Sequence, residues 1–568
     1  MRFVIHEGAR LSIDSGVTLS GEIVAGAYQV IEGSGTLNLT GDAQDVYADW
    51  WLSSATDTTG FQAAVNAVDG TKHTMLLSPK TYTLDKITAS TGIRVIGSHE
   101  SLSTLKLTDE TANDKFFDCA GDVIFRDLVL DINKDNQNTA RPDGIYFDGD
   151  SLTAENVHFT NIKASGINCE NATKSAKIRR CRFDEFALHG GLLNEVSRAC
   201  RLASSSDECE MWFQDNEVIG PDRVPDGLNP FGLIFPQGKS QSVTITGNHF
   251  ENLGTSSSGN TDGAIDLYTN PSKCIIDGNR FVNYHFTPLK LQNSTGVICT
   301  NNIIEGAAWE NGNQAINFQN TRDYQDEREL FVCSNNIIRF YSGVGWVLDY
   351  ADLDGSGITI TIEIDSGGDI VLTEGLELDF SSDTSNAEAA QTIATALETA
   401  LDQTGSFLSK VRFEARGSRF VGFARFGFRV TKFETDADAS DLVLNHVANK
   451  NIGIYVQGDA DEVFLSNYIR VSGNQLIGAE DSIRFQYCRM VSSSFNQIEN
   501  CTRSYRLQHI KSSDADSNRI PVDIQIIGDT IDTCSNVAIH AADDAVVNTT
   551  NFHLNVRDTV NGNAANLG

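Results

Sequence analysis

The chain has 568 residues, several times the usual domain length, so it either holds several domains or grows by repetition. Glycine is common (47), proline scarce (9), charged residues make up 21% and apolar ones 40%, a balance that excludes global disorder. With 43 basic against 76 acidic side chains the net charge is −33, a field that repels nucleic acid and anionic membranes.

The first residues, MRFVIHEGAR, lack the apolar core of a signal peptide, and no run approaches the ~18 apolar residues of a membrane span. Folding in a reducing cytoplasm without membrane insertion is therefore expected. Short strand-and-glycine pieces fill residues 1 to about 45, and VYADWW then leads into GFQAAVNAV, a predicted helix over Phe61 to Val68. With Phe61, Ala64, Val65 and Val68 turned inward, such a helix would cover the open end of a β-stack, whose first coil otherwise exposes core and unpaired backbone. MLLSPKTYTL and IRVIG follow as strands, ending a first unit at about residue 107.

From residue 108 one pattern recurs: an apolar residue, an outward one, an apolar one, an outward one, then a polar turn. It reads GIYFDGD from Gly144, GINCENA from Gly166, GLLNEV from Gly191, GLIFPQG from Gly232, AIDLYTN from Ala264, PLKLQNS from Pro288, AINFQNT from Ala315, GIYVQGD from Gly453, SIRFQYC from Ser482 and SYRLQHI from Ser504. Period-two alternation at roughly 22- to 35-residue spacing predicts a solenoid of short strands. Neither the LxxLxL of a leucine-rich horseshoe nor the four strands per ~40 residues of a propeller is present, which leaves a right-handed parallel β-helix.

A second ladder runs beside the first, with Asn248, Asn279, Asn302, Asn336, Asn474 and Asn496 in GNHF, GNRF, TNNII, SNNII, GNQL and FNQI. Asparagine tolerates the left-handed backbone of a sharp corner, and stacked amides bond from coil to coil, so these residues are read as structural. The eleven cysteines show no CxxC pair and no zinc spacing; Cys299 and Cys333, each three residues before a ladder asparagine, are expected as buried thiols. No metal or cofactor is expected.

Between about Asp352 and Thr435 the rhythm breaks. ITITIEI and IVLTEGLELDF read as strands, SNAEAAQTIATALETALDQTG as a helix with a capping box at Ser385 and Glu388, Gly405 past its end and Ile393, Leu397 and Leu401 as its buried stripe, and KVRFEARGSRFVGF as further strand. The expected organisation is therefore a cap (1–107), coils with a groove (108–351), an inserted α+β module (352–435), and coils with a polar tail (436–568).

The succession VYADWW, DTTGFQAAVNA, LLSPKTYTL, TGIRVIG resembles the N-terminal signature of phage tailspikes and related pectate-lyase-like β-helix proteins. The resemblance covers roughly residues 1 to 107 by motif and the rest by coil pattern. It implies a homotrimer in the virion tail, folded in the host bacterial cytoplasm, that contacts other tail proteins and binds, and often cleaves, a bacterial surface polysaccharide. No separate trimerisation domain is read after the last coils, so a trimer would rest on the sides of the helices.

Aligning the repeats gives two outward columns. The first holds Tyr146, Asn168, Leu192, Ile234, Asp266, Lys290, Asn317, Tyr455, Arg484 and Arg506; the second holds Asp148, Glu170, Asn194, Pro236, Tyr268, Gln292, Gln319, Gln457, Gln486 and Gln508. At ~4.8 Å per coil, neighbours in a column reach the same sugar or successive sugars of an extended glycan.

Glycoside hydrolysis needs two carboxyl groups. The first candidate pair is Asp262 and Asp266 in GNTDGAIDLYTN, whose NTDG also resembles the NTD motif of polygalacturonases and so implies catalytic use of Asp262, although the partner motifs of that family are absent. The second pair is Asp148 and Glu170, one coil apart in one column. Lys290, Tyr268, Asn317 and Gln292 are the candidate substrate contacts, with Asp226 in the proline-rich segment GPDRVPDGLNPFG, read as a wall over the groove. A lyase would instead use a basic residue or a tyrosine at a uronate, for which Lys290, beside Asp266 and near Tyr268, could serve, with Arg484 and Arg506 holding distant carboxylates; Lys290 equally suits an ion pair with Asp266. His189 and His285 are read as packing or surface residues. A hydrolase, a lyase and a non-catalytic glycan-binding fibre all remain open from the sequence.

Overall fold

The computed structural model describes residues 1–186 almost throughout and, beyond them, the strands and turns of the coils. Residues 41–42, 138–139, 187–195, 221–228, 236–241, 254–263, 268–272, 307–313, 320–329, 348–355, 380–391, 397–410, 436–451, 458–467, 509–521, 542–552 and 556–568, with a few shorter stretches, lie outside the description.

The 35 strands of the main sheet pair in parallel, each with the equivalent strand of the coils before and after it. One coil runs Ile265–Leu267, Lys273–Asp277, Arg280–Tyr284; the next runs Leu289–Gln292, Val297–Thr300, Ile303–Gly306. This is the expected right-handed parallel β-helix, three strands to a coil, with the inward residues of each strand in one continuous core. Phe159, Phe183, Phe213, Phe250 and Phe281 stack up its inside, with ring centroids 4.7–6.1 Å apart.

Most repeats open on glycine, alanine or serine, and where the opener is glycine the cause is steric. A Cβ on Gly232 would lie 2.3 Å from the Ala264 carbonyl oxygen of the next coil, and one on Gly453 would lie 2.5 Å from that of Ser482. At these two corners the absence of a Cβ lets successive coils approach.

The cap is built as the sequence predicts. The helix Thr58–Val68 buries Phe61, Ala64, Val65 and Val68. Its N-cap is Asp57, whose carboxylate accepts from the Gly60 N–H at 2.8 Å and from the Ser53 N–H and hydroxyl. Asp49 explains why VYADWW and SPKTYTL occur together. It is buried, and its carboxylate accepts from the Ser78 hydroxyl (2.6 Å) and the Tyr82 hydroxyl (2.9 Å) and pairs with Lys80. Trp50 donates its indole N–H to the Gly26 carbonyl at 2.9 Å, tying the first 40 residues to the cap.

The asparagine ladder is present and longer than expected, beginning at Asn216. From Asn216 through Asn248, Asn279, Asn302, Asn336 and Asn474 to Asn496, each Nδ2 donates to the next Oδ1 at 2.8–3.0 Å. Each backbone N–H donates to that same oxygen, and Nδ2 also donates to a carbonyl of the preceding coil. All polar atoms of a buried corner are thereby satisfied. Amide hydrogens therefore point in one direction along the chain, and the last member needs only to accept. Asp529 closes the ladder, taking the Asn496 N–H at 2.6 Å.

The corner differs from expectation in one respect. The left-handed residue is the one before each ladder asparagine: Asp215, Gly247, Gly278, Asn301, Asn335, Gly473 and Phe495 all have φ between 53° and 67°. The ladder asparagine is held by its hydrogen bonds, and its predecessor makes the bend.

The step from Asn336 to Asn474 spans 138 residues, and Gln314–Gln319 pairs directly with Ile452–Gln457. The chain between leaves the stack. Its strands form two three-stranded antiparallel sheets, Ser342–Val347 with Arg419–Ala424 and Val411–Arg416, and Asp369–Asp379 with Ser356–Ser366 and Phe428–Thr435. Of the expected helix, residues 392, 393, 395 and 396 are described; they are helical and Ile393 is buried. The ten described cysteines are free and buried, and the Cys299 and Cys333 sulfurs lie 3.4 and 3.3 Å from the ladder amides of Asn302 and Asn336.

Candidate functional site

Strand register defines the first outward column: Thr88, Asp118, Tyr146, Asn168, Arg201, Ile234, Asp266, Lys290, Asn317, Tyr455, Arg484, Arg506 and His540 follow one another directly. Arg201 takes the place expected for Leu192. The strand of that coil is Val196–Leu202, and Leu192 and Asn194 lie outside the described residues.

At the centre of the column Asp266, Lys290 and Asn317 stand side by side on consecutive coils. Although they alternate with core residues Ile265, Leu267, Leu289 and Leu291, they are not open to solvent: they are 1%, 6% and 3% exposed. Charged side chains are rarely buried without a partner of opposite charge, because lost hydration outweighs any gain from packing. Here a carboxylate and an ammonium lie on adjacent strands, one spacing of ~4.8 Å apart. Asn317 donates to the Gln314 side-chain oxygen at 2.8 Å, which the Thr287 hydroxyl also approaches. A carboxyl, an amine and an amide thus occupy three consecutive steps of one buried ladder.

The second column is only partly as expected. Gln292, Gln319, Gln457, Gln486 and Gln508 are in register. Gln292 donates to Gln319 and Gln319 to Gln457, each at 3.2 Å, while the Tyr455 hydroxyl reaches both Gln457 and Gln486. The pairing of Asp148 with Glu170 is corrected: after Phe147 opposite Cys169 the register slips, placing Asp148 opposite Asn171. Glu170 is the extra residue of a bulge, exposed and ion-paired to Arg201, so the two carboxylates do not face each other across adjacent strands. Asp226, Asp262 and Tyr268 lie outside the described residues.

One cluster was not read from the sequence. The residue two places before the first inward residue of the strand forms its own column, Lys115, Asp143, Ser165 and Arg198. Asp143 is buried and accepts from Asn168 Nδ2 at 2.7 Å; burial holds its carboxyl above the usual range despite this bond and the nearby Arg198 and Arg201. Desolvation pushes Arg198 the other way, below its ordinary value. The Lys115 ammonium lies 3.3 Å from the Tyr146 ring centroid. The available signal was a charged residue directly before the small opener, as in RPDG and VSRA.

Among the described residues no group of three or more His, Cys, Asp or Glu side chains is placed to hold a metal ion, and no helix is long and apolar enough to cross a membrane.

Fold and column together define a parallel β-helix with a polar, partly buried ladder on one face. Among solved structures with a similar chain path is bacteriophage CBA120 tailspike protein 3, 9% identical over 92% of this chain and 62% of that one, with a TM-score of 0.37. This chain thus spans less than two thirds of that tailspike's length. Others are the A-module of the Azotobacter vinelandii mannuronan C-5 epimerase AlgE4 (14% identity, 51% and 93% coverage, TM-score 0.26) and the PL6 family alginate lyase AlyGC (10%, 88% and 74%, 0.15). No protein-family model matches the chain, and no curated protein matches it in sequence.

Proposed function

We propose that this chain is a phage tailspike-like receptor-binding depolymerase, which binds a bacterial surface polysaccharide along the outward face and hydrolyses it at the central patch. The observation that carries the reading is the buried Asp266–Lys290–Asn317 ladder on a face whose neighbouring positions are tyrosine, arginine and glutamine. In this reading Asp266 is one carboxyl of the pair and Asp262, four residues earlier at the strand entry, is the other, with Lys290, Asn317, Gln292 and Tyr268 as substrate contacts. Asp226, in the proline-rich segment, is a further substrate contact. The chain acts as a homotrimer in the virion tail beside other tail proteins, after folding in the host cytoplasm.

Lys290 directly opposite Asp266 favours a second reading, a polysaccharide lyase in which the amine moves the proton α to a uronate carboxylate. Incubation with host polysaccharide separates the readings. New reducing ends without unsaturated uronate mean hydrolysis, both together mean elimination, and neither, with binding retained, means a non-catalytic adhesin and rejects both enzyme readings.

A further inference from the structure

The second and third strands of each coil turn different residues outward. On the second strands the middle outward position climbs through Trp212, Thr244, Ile275, Ile298 and Val332 on consecutive coils. All five are half-buried among their neighbours, and none is charged. Two residues further along, Thr246, Asp277, Thr300 and Ser334 form a parallel column, in which the Thr300 hydroxyl and the Asn301 amide donate to Asp277 at 2.6 and 2.8 Å. At the strand entry Leu330 is 45% exposed, and Tyr468, its counterpart on the next coil, 51%. Arg470 ends the uncharged run after Val332.

Isoleucine, valine and threonine favour strands on any face, so the third strands of the same coils supply the comparison. Beside Ile303 and Ile337 they turn out Arg280, Glu305 and Arg339, and Glu305 pairs with both arginines, at 3.5 and 2.9 Å. Nearer the cap, Arg182 pairs with Glu217 at 3.0 Å. Charges joined from coil to coil suit a face kept in water, whereas a column of tryptophan, isoleucine and valine has the composition of the core of a protein contact.

Shape and charge select the occupant. The face is about 13 Å wide for four strand residues and grows by ~4.8 Å per coil, so a partner must run alongside the stack to bury the ~800 Å² of a stable contact. Another solenoid of the same kind does so. About a rotation axis parallel to the stack, each coil meets the same coil of its neighbour, and every charge meets its own copy at equal height. A stripe without charge, with Asp277 bonded within its own chain, satisfies that condition. The arginine and glutamate rows of the third strands would set like against like.

We propose that the outward face of the second strands, centred on Ile275, Ile298 and Val332, is the surface on which copies of this chain pack side by side, coil against equivalent coil. This rests on the homo-oligomeric part of the reading above and names its surface. It is independent of whether the column on the first strands cuts a glycan.

The test is gel filtration with light scattering, over a dilution series, of the full chain, Ile298→Lys and Ile303→Lys. The two isoleucines belong to one coil and are both half-buried, one on each face, so a general loss of stability affects both variants alike. The expected result is a homo-oligomer for the unaltered chain and for Ile303→Lys, with the apparent dissociation constant of Ile298→Lys raised about tenfold or more by like charges brought together. Thermal melting checks that each variant is folded, and Ile275→Lys, one coil earlier, takes the place of Ile298→Lys if that variant does not fold. An oligomer indifferent to folded Ile298→Lys, or weakened equally by both variants, sinks the surface alone; a monomeric unaltered chain sinks the surface and the homo-oligomer together. A monomer in which Ile298→Lys instead loses binding to host polysaccharide gives the face to a glycan and also overturns the proposal. Assembly broken by Ile298→Lys in a chain that cleaves nothing supports the surface and rejects only the enzyme reading.

Discussion

The corner column from Asn216 to Asn496 and the face column from Thr88 to His540 climb one solenoid with the same step between coils, yet they use residues differently. The corner repeats a single side chain, because an amide that both donates and accepts satisfies its copy above and below. The face changes at nearly every step and at its centre buries an acid beside a base. The glutamine column next to it repeats like the corner, so heterogeneity is not a property of the face as a whole. A repeating fold keeps one residue where translation alone must be satisfied and departs from it where something that does not repeat has to be met.

The sharpest way to break this comparison is one substitution made in both columns. Asn302→Asp places an acceptor-only group between Asn279 and Asn336, removes the side-chain donations to Asn336 Oδ1 and the Ile276 carbonyl, and buries a charge. A loss of about 3 kcal/mol or more in denaturant unfolding is expected. Asn317→Asp, beside the Lys290 ammonium, is expected to lose only about 1 kcal/mol by the same measurement. Equal losses would mean that the face is as purely structural as the corner.

The next largest effect is on pH dependence. The cap is tied by ionised carboxylates, the corner mostly by neutral amides. For Asp57 and Asp69 burial alone would raise the carboxyl, but backbone N–H groups of Ser53 and Gly60, and of Ser90 and Thr91, together with serine hydroxyls hold both below the ordinary value near 3.8. Asp184 is opposed by burial in the same way and brought down to about 2 by His158 and Arg182. A lowered native pKa stabilises fully above the unfolded value and is lost as pH falls through the native one, so these groups release the cap and first coils below about pH 4. Asp143, raised by burial, has the opposite sign: it favours the fold while protonated, and that contribution fades as pH rises through its native value. Hydrogen exchange at decreasing pH should show amides near Asp57 and Asp69 losing protection before those of the Asn248–Asn336 corner. The reverse order would contradict the division.

The smallest effect belongs to the second repeating column. Gln319→Ala removes one link in a half-buried amide chain and should cost about 1 kcal/mol, without altering the register of its neighbours.

Translational symmetry decided how much was legible in the sequence. Period-two strands, the inward face of the cap helix and most of the ladder were readable because each repeats or follows a fixed helical spacing. Asp529 is not legible from a ladder defined by asparagine before a short apolar strand, because its last member, in GDTI, only accepts. The coil at Val196–Leu202 was placed too early because GLLNEV imitates the alternation. The bulge at Glu170 was invisible because one extra residue leaves the surrounding pattern intact. Burial of Asp266 and Lys290 was not legible either, since alternation gives the side of a strand a residue takes but not what covers it.

The claim that the central face cuts a glycan is tested most directly by Asp266→Asn, assayed for new reducing ends on host polysaccharide alongside glycan binding and thermal melting. The account predicts that cleavage is abolished while binding and melting temperature stay close to those of the unaltered chain; full cleavage by the folded variant would remove Asp266 from the chemistry.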